Sequence, residues 1–296
     1  MKKLFFLLFL TLFSCKTMQK NTSLKTDILN ELKGVQGDFA VAFLDLQNPK
    51  NTLFINESEV FHAASTMKTA VMIEIFRKID RKELRLEDSI LVKNQFSSIV
   101  DGSPYSISVD SEDSGEKLYD QIGQKKLLKD LVYDMIIHSS NLATNIVIEL
   151  SDAKKVTQSI RELGTQKMEV LRGVEDLKAF EKGLNNTTTA YDLLILMQAI
   201  EQKKAASPSS CEAMIQILLD QKFKDIIPAY LPKELKVAHK TGSITGVRHD
   251  SGIIYLPNGK KYVLVLLSKN LQNPDAGVET MAKISKKIYL WANENI

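Results

Sequence analysis

The spacing of apolar residues along the chain changes twice. Near the start, Leu24–Leu32 carries the pattern of a short amphipathic helix. Phe39–Leu46 (FAVAFLDL) follows as a near-continuous apolar run of strand length, and Thr52–Ile55 is a second β-rich run reached through an Asn48-Pro49 turn signal. The middle of the chain switches to helical spacing, in Thr66–Ile79, Lys125–Ile137, Ala143–Leu150, Ala190–Ile200 and Cys211–Leu219. Strand character returns only towards the end, in Lys236–Thr241, Gly252–Leu256 and Tyr262–Ser268, with Pro257-Asn258-Gly259 as a hairpin signal between the last two. A long helix from about Gly277 to Ala292 closes the chain. The acidic, turn-rich stretch Asp101–Glu116 predicts a surface loop. Strands at both ends with helices between them predict an α/β (α+β) fold. Its antiparallel sheet is assembled from N- and C-terminal strands, flanked by helices and interrupted by an all-helical subdomain. The boundaries expected are residues 26–62 and 222–296 for the sheet portion and 63–221 for the helical portion, within a single domain over 26–296.

The first residues are set apart from this pattern. Met1-Lys2-Lys3 is a short basic start, and Leu4–Phe13 is an apolar run of about ten residues, too short to cross a bilayer as a helix. It reads as the core of a secretory signal over residues 1–14. Leu12-Phe13-Ser14-Cys15 resembles the bacterial lipobox, which makes Cys15 the expected lipidation site and residues 15–25 a tether. An exported lipoprotein is therefore expected, on the periplasmic face or the cell surface, with membrane contact through the lipid. The only other cysteine is Cys211, so a lipidated Cys15 leaves no pair for an internal disulfide. Cys211 opens an apolar helix and is read as a packing residue. The net charge of +3 is small for 296 residues and forms no basic stripe, which argues against a nucleic-acid partner. The histidines, His62, His138, His239 and His249, are scattered without paired ligand spacing, so no metal is implied. No nucleotide or phosphate loop is present, and no cofactor is expected.

Three short motifs carry candidate chemistry. Ser65-Thr66-Met67-Lys68 opens the apolar run Ala70–Phe76, and residues three apart share a helix face, so the Lys68 amine can reach the Ser65 hydroxyl. A helix N-terminus favours developing negative charge, and a desolvated lysine is a plausible proton acceptor. The spacing alone is weak, since Ser114–Lys117 and Ser151–Lys154 repeat it without leading into a long apolar helix. Ser139-Ser140-Asn141 lies between two helices; a similar Ser-x-Asn occurs at Ser268–Asn270. Lys240-Thr241-Gly242 occurs once, on a C-terminal strand, where a lysine and a threonine can hold a carboxylate.

Taken in order, the three motifs resemble the signature of the class A β-lactamases and penicillin-binding proteins. The resemblance extends to Asn186-Thr187-Thr188-Thr189 ahead of a helix and to His249-Asp250-Ser251-Gly252 on a strand, and so covers most of the chain after about Thr26. It implies that Ser65 attacks a carbonyl and becomes acylated, that Lys68 helps to remove its proton, and that Ser139 passes a proton to the leaving nitrogen. Asn141 would bind the amide side chain of the substrate, and Lys240 and Thr241 its carboxylate. The backbone N–H groups of Ser65 and Ser243 would form an oxyanion hole, each donor worth a factor of about 10²–10³. The implied ligand is a β-lactam or a cell-wall peptide, taken by a monomer.

Two departures from the family pattern stand out. Ser140 replaces the usual Asp. In the Ω-loop, Glu175 is the best candidate for a deacylation base, but Ala179 stands where an Asn is expected four residues on, and the loop is short. Glu181, with Asn185 four residues later, is the second candidate. The leading expectation is hydrolysis of a β-lactam amide. The alternatives are a penicillin-binding peptidase or other acyl hydrolase that deacylates poorly, and a non-catalytic surface lipoprotein. Intact Ser65, Lys68, Ser139 and Lys240 argue against the last.

Overall fold

The computed structural model describes residues 23–108 and 116–296. Cys15, the signal segment and most of the tether lie outside these residues. Helix α1 (23–32) leads into strands β1 (Asp38–Asp45) and β2 (Thr52–Ile55). The helical portion runs through α2 (Lys68–Asp80), α3 (Leu128–Ile137), α4 (Asn141–Ser151), α5 (Ala153–Glu162), α6 (Leu177–Glu181), α7 (Ala190–Glu201) and α8 (Pro208–Leu219). Strands β3 (Lys236–Ile244), β4 (Val247–Tyr255) and β5 (Lys261–Lys269) and helix α9 (Pro274–Asn295) complete the chain. The sheet order is β2-β1-β5-β4-β3, antiparallel throughout, so the first and last strands of the chain meet at its centre, with Asp38 opposite Lys269 and Asp45 opposite Tyr262.

The apolar run in β1 has a simple cause. Ala40, Ala42 and Leu44 pack against the helical portion, while Phe39, Val41 and Phe43 pack against α1 and α9. A strand covered on both faces has no polar side, so alternation disappears. Helix α2 is buried from Lys68 through Phe76 and forms the axis of the helical portion. No described helix is long and apolar enough to cross a membrane.

Local contacts shift several boundaries. Lys125–Leu127, expected as helix, pairs as a strand with Ser89–Leu91, and the Leu128 and Lys129 N–H groups bond to Asp88 and Leu86 carbonyls, so the helix begins only at Leu128. Tertiary pairing here outweighs propensity. Helix α8 begins earlier than expected because Ser207 caps it ahead of Pro208. Cys211 is buried within it, as a packing residue. Strands β3 and β4 run longer than their apolar cores and join through Thr245-Gly246, where Gly246 supplies a φ of 69°. Part of the expected surface loop is instead a hairpin: Pro104–Tyr105 pairs with Phe96–Ser97, and Tyr105 packs inward. Helices α5 and α6 are additions that the apolar spacing does not announce.

Candidate active site

A cleft of about 640 Å³ opens between the edge strand β3 and the helical portion. Its walls include Ser65, Ser139, Asn141, Glu175, Thr241 and Ser243, brought together from distant parts of the chain. Lys68 and Lys240 lie fully buried behind it.

Ser65 sits in a single 3₁₀ turn, Ala64–Met67, that feeds directly into α2. The preceding Ala64 is held at φ 45°, with its N–H bonded to His62 Nδ1 at 3.0 Å, and the Ala63 N–H bonds to the Asn186 carbonyl at 2.8 Å. A non-glycine residue in this region costs about 1–3 kcal/mol, and such strain collects at functional sites. Burial, followed by the charge of Arg172, lowers His62 to a pKa of about 4, so its imidazole is neutral and can accept the Ala64 N–H.

Lys68, one turn after Ser65, points its amine at the second motif. Nζ donates to the Ser139 carbonyl at 2.6 Å, to Ser139 Oγ at 3.2 Å and to Asn141 Oδ1 at 3.1 Å. Lys240 Nζ, from β3, donates to the same Ser139 Oγ at 3.1 Å and to the Thr241 carbonyl at 2.9 Å. A hydroxyl has two acceptor sites and one proton. With two amines donating to it, the Ser139 oxygen has both acceptor sites filled and its proton is left to point elsewhere, which suits a group that donates to a leaving atom. Burial, followed by the nearby Lys68 charge, holds Lys240 well below the usual lysine range, while Asp250 opposes that shift.

Ser139 reaches this position because it adopts φ 56° at the end of α3, and Ser140 then caps α4 by accepting the Ala143 N–H at 3.2 Å. The hydroxyl at 140 thus does the capping work that a short carboxylate would do. Strand β3 comes close to the Ser65 turn. A Cβ on Gly242 would lie 3.2 Å from both the Ser65 and the Thr66 nitrogen, so a side chain there would crowd the turn by a few tenths of an ångström. This brings Ser243 to the neighbourhood of Ser65. Arg248 lies across from Ser243, and its guanidinium donates to the Ile244 and Val247 carbonyls at the mouth of the cleft.

The opposite wall is a loop closed at its neck. Glu169 and Thr187 exchange backbone hydrogen bonds at 3.0 Å, and Asn186 Oδ1 accepts the Leu171 and Arg172 N–H groups while its Nδ2 donates to the Arg172 carbonyl. The buried Arg172 spans the loop to the Leu184 carbonyl and Asn185 Oδ1. Asn145 on α4 grips Val174 by both backbone groups, accepting its N–H at 2.6 Å and donating to its carbonyl at 3.0 Å. Gly173 makes this possible, because a Cβ there would come within 2.7 Å of both Asn145 Oδ1 and Tyr105 Oη. Asp176 accepts from Ser98 Oγ at 2.8 Å and from the Ile99 N–H at 2.9 Å, tying the loop to the 96–105 hairpin.

Glu175 lines the cleft at φ 61°, and its Oε2 accepts the Ser108 N–H at 3.0 Å. Glu181 ends the short helix α6, exposed and outside the cleft lining. Of the rival motifs, Ser114 lies outside the described residues, while Ser151 donates to the Ile148 carbonyl and Ser268 to the Arg248 carbonyl. Sequence reasoning missed Asn145, Gly173 and Asp176. Asn145, one turn after Asn141 on the same face of α4, was within reach of helical spacing. Gly173 and Asp176 give no signal without their partners.

Similarity to known proteins agrees with this arrangement. The family model described as the beta-lactamase enzyme family matches residues 23–292. Beta-lactamase BRO-1 of Moraxella catarrhalis is 24% identical over 78% of this chain and 73% of its own. A solved beta-lactamase from Sphaerobacter thermophilus superposes with a TM-score of 0.76 at 26% identity, covering 94% of this chain and 98% of that one. PBP-A superposes with a TM-score of 0.78 at 26% identity, covering 93% and 97%. A fold shared over nearly the whole length, with the three motifs meeting in one cleft, leads to a single assignment: the chain belongs to the beta-lactamase enzyme family.

Proposed function

We propose that the protein opens β-lactam amides through an acyl-enzyme on Ser65. The observation that carries this reading is the Ser139 hydroxyl, held between the buried amines of Lys68 and Lys240 in the cleft that Ser65 lines. Lys68 in its neutral form takes the Ser65 proton, the Ser65 oxygen adds to the lactam carbonyl, and the backbone N–H groups of Ser65 and Ser243 stabilise the oxyanion. When the C–N bond breaks, Ser139 gives its proton to the leaving nitrogen and recovers one from a neighbouring amine. Lys240 and Thr241 hold the substrate carboxylate, and Asn141 the amide of its side chain. Glu175 then activates water against the Ser65 ester. Turnover of a chromogenic cephalosporin, followed beside mass spectrometry of the Ser65 peptide, tests the reading. No turnover and no adduct would refute it.

A second reading has its own support. Asn145 fixes the apolar Val174 at the cleft wall, and one oxygen of Glu175 is bonded to the Ser108 N–H. A base committed elsewhere leaves the ester long-lived, the behaviour of a penicillin-binding peptidase. PBP-A, similar over nearly the full chain, has also been solved in a mutant form as an acyl-enzyme complex with penicillin G. Adduct accumulation without turnover distinguishes this reading from the first. We further propose export and lipidation at Cys15; loss of fatty-acid labelling in Cys15→Ala is the expected result, and undiminished labelling would refute it.

A further inference from the structure

Two buried ionisable residues near the cleft have no part in the chemistry above. His239 precedes Lys240 on β3, and Asp250 lies opposite Thr241 on β4. They occupy the same face of the sheet, the face that also carries Thr241, Ser243 and Arg248. Both are almost wholly excluded from solvent, at 1% and 0% exposure. His239 Nδ1 lies 2.9 and 3.1 Å from the two Asp250 oxygens, and Asp250 Oδ2 also accepts the Ile227 N–H at 3.0 Å. The Ile227 carbonyl in turn accepts Ser285 Oγ of α9 at 2.8 Å. Gly252, opposite His239, makes room for the ring: a Cβ there would come within 2.8 Å of His239 Cβ.

The position of this pair gives it leverage. The segment bonded through Ile227 contributes Phe223, Asp225 and Ile226 to the cleft that Thr241 and Ser243 also line. The Asp250 carboxylate therefore joins β3, β4 and that segment at one point, beside Thr241, its cross-strand partner. It is also the negative charge that favours the ammonium form of Lys240, against burial and the Lys68 charge. A buried carboxylate is costly unless well bonded, and a sheet–loop junction of this kind needs only backbone donors.

We propose that His239 and Asp250 are positioning residues for recognition of the substrate's carboxylate: together they hold the Lys240-Thr241 strand against the 223–227 segment. The proposal rests on the reading of Lys240 and Thr241 as the carboxylate site. Neither residue touches substrate.

The test compares two acylating probes on the full chain, an anionic penicillin and its methyl ester, in wild type, Asp250→Asn, His239→Gln, Lys240→Ala and the Asp250→Asn/Lys240→Ala double variant. Acylation of Ser65 is followed by mass spectrometry. Residues in one network couple appreciably. The expected result is a rise of about tenfold in the concentration of anionic penicillin needed for half-maximal acylation in Asp250→Asn, with a smaller rise in His239→Gln. The maximal rate and the behaviour with the ester stay within about twofold of wild type. In the Lys240→Ala background, Asp250→Asn should change nothing further. Equal losses for both probes, or an additive loss in the double variant, would show that the pair serves only stability and would overturn the proposal. If Asp250→Asn fails to fold, His239→Gln decides by the same ratio. If wild type itself treats the two probes alike, the reading of Lys240 falls and the proposal with it. Failure of every protein, wild type included, to acylate Ser65 would refute the proposed function instead.

Discussion

The two walls of the cleft are built by different means. On one side, Ser65 stands on the turn that feeds the central helix, Lys68 on that helix, Ser139 on the turn between α3 and α4, and Lys240 on an edge strand, each on an element anchored in the core. On the other side, residues 171–186 form a loop whose shape depends on polar clasps from Asn145, Asp176, Arg172 and Asn186. The anchored wall needs few residue types at set spacings. The clasped wall needs several hydrogen bonds to hold at once, and each is worth about 0.5–1.5 kcal/mol net. On the proposed function, acylation would belong to the first wall and deacylation to the second. The comparison thus separates the part of the reaction that the scaffold secures from the part that local contacts can gain or lose.

The largest effect that would break this comparison is loss of the nucleophile. Ser65→Ala is expected to lower adduct formation by at least about 10³-fold, since the remaining groups act only through it. A full-rate adduct in that variant would place the chemistry on another residue. Glu175→Gln tests the clasped wall directly. Acylation should proceed at the wild-type rate, and deacylation should slow by about 10²-fold or more if Glu175 delivers the water. Stopped-flow acylation with timed mass spectrometry reads both steps, and unchanged deacylation would favour the peptidase reading. Gly173→Ala sharpens the same point without touching a reactive group. Its methyl would force apart Asn145 and Tyr105, and a displacement of about 1 Å can cost on the order of 10²-fold. The loss should fall on deacylation more than on acylation; equal losses would mean that the two walls are not independent.

Lys240→Ala removes the amine on Ser139 Oγ, which should lower kcat/KM for anionic substrate and ester alike, and also a charge-assisted carboxylate contact of about 1.5–3 kcal/mol, which should add a further loss for the anionic substrate alone. Equal losses for both would remove the carboxylate role. The smallest effect concerns the anchored wall's dependence on pH. His249 is fully buried, with Nε2 2.9 Å from the His62 carbonyl, and burial lowers its pKa from 6.5 to about 4. Its neutral form is favoured in the folded state, so its contribution is complete above pH 6.5 and is lost as pH falls to about 4. At 1.36 kcal/mol per unit this amounts to about 3 kcal/mol. Urea denaturation at pH 7 and pH 4.5 should show a larger drop for wild type than for His249→Gln, and equal drops would sink this account.

Much of the fold was legible in advance because burial imposes periodicity. The run Phe39–Leu46, the helices at 190–200 and 211–219, and the three C-terminal strands each fill a contiguous apolar slot, and a sheet joined from both chain ends was the arrangement their order allowed. Helix α5 was missed, although its strongly amphipathic face packs only Val156, Ser159 and Ile160, too few positions to stand out in a polar stretch. The hairpin at 96–105 was missed because its pairs are two residues long and depend on the loop that Asp176 ties to it.

The same division holds at the site. Ser65 with Lys68, Ser139 with Asn141, and Lys240 with Thr241 could be singled out from sequence, because the members of each pair are neighbours on one helix turn, one cap or one strand, and local geometry makes spacing meaningful. That Lys68 and Lys240 meet at a single hydroxyl, that Gly242 packs tightly against the Ser65 turn, and that Glu175 bonds to Ser108 could only be decided by the tertiary structure. Those facts depend on distances between segments far apart in the chain. Packing of the whole core sets such distances to a fraction of an ångström, and no local pattern records them.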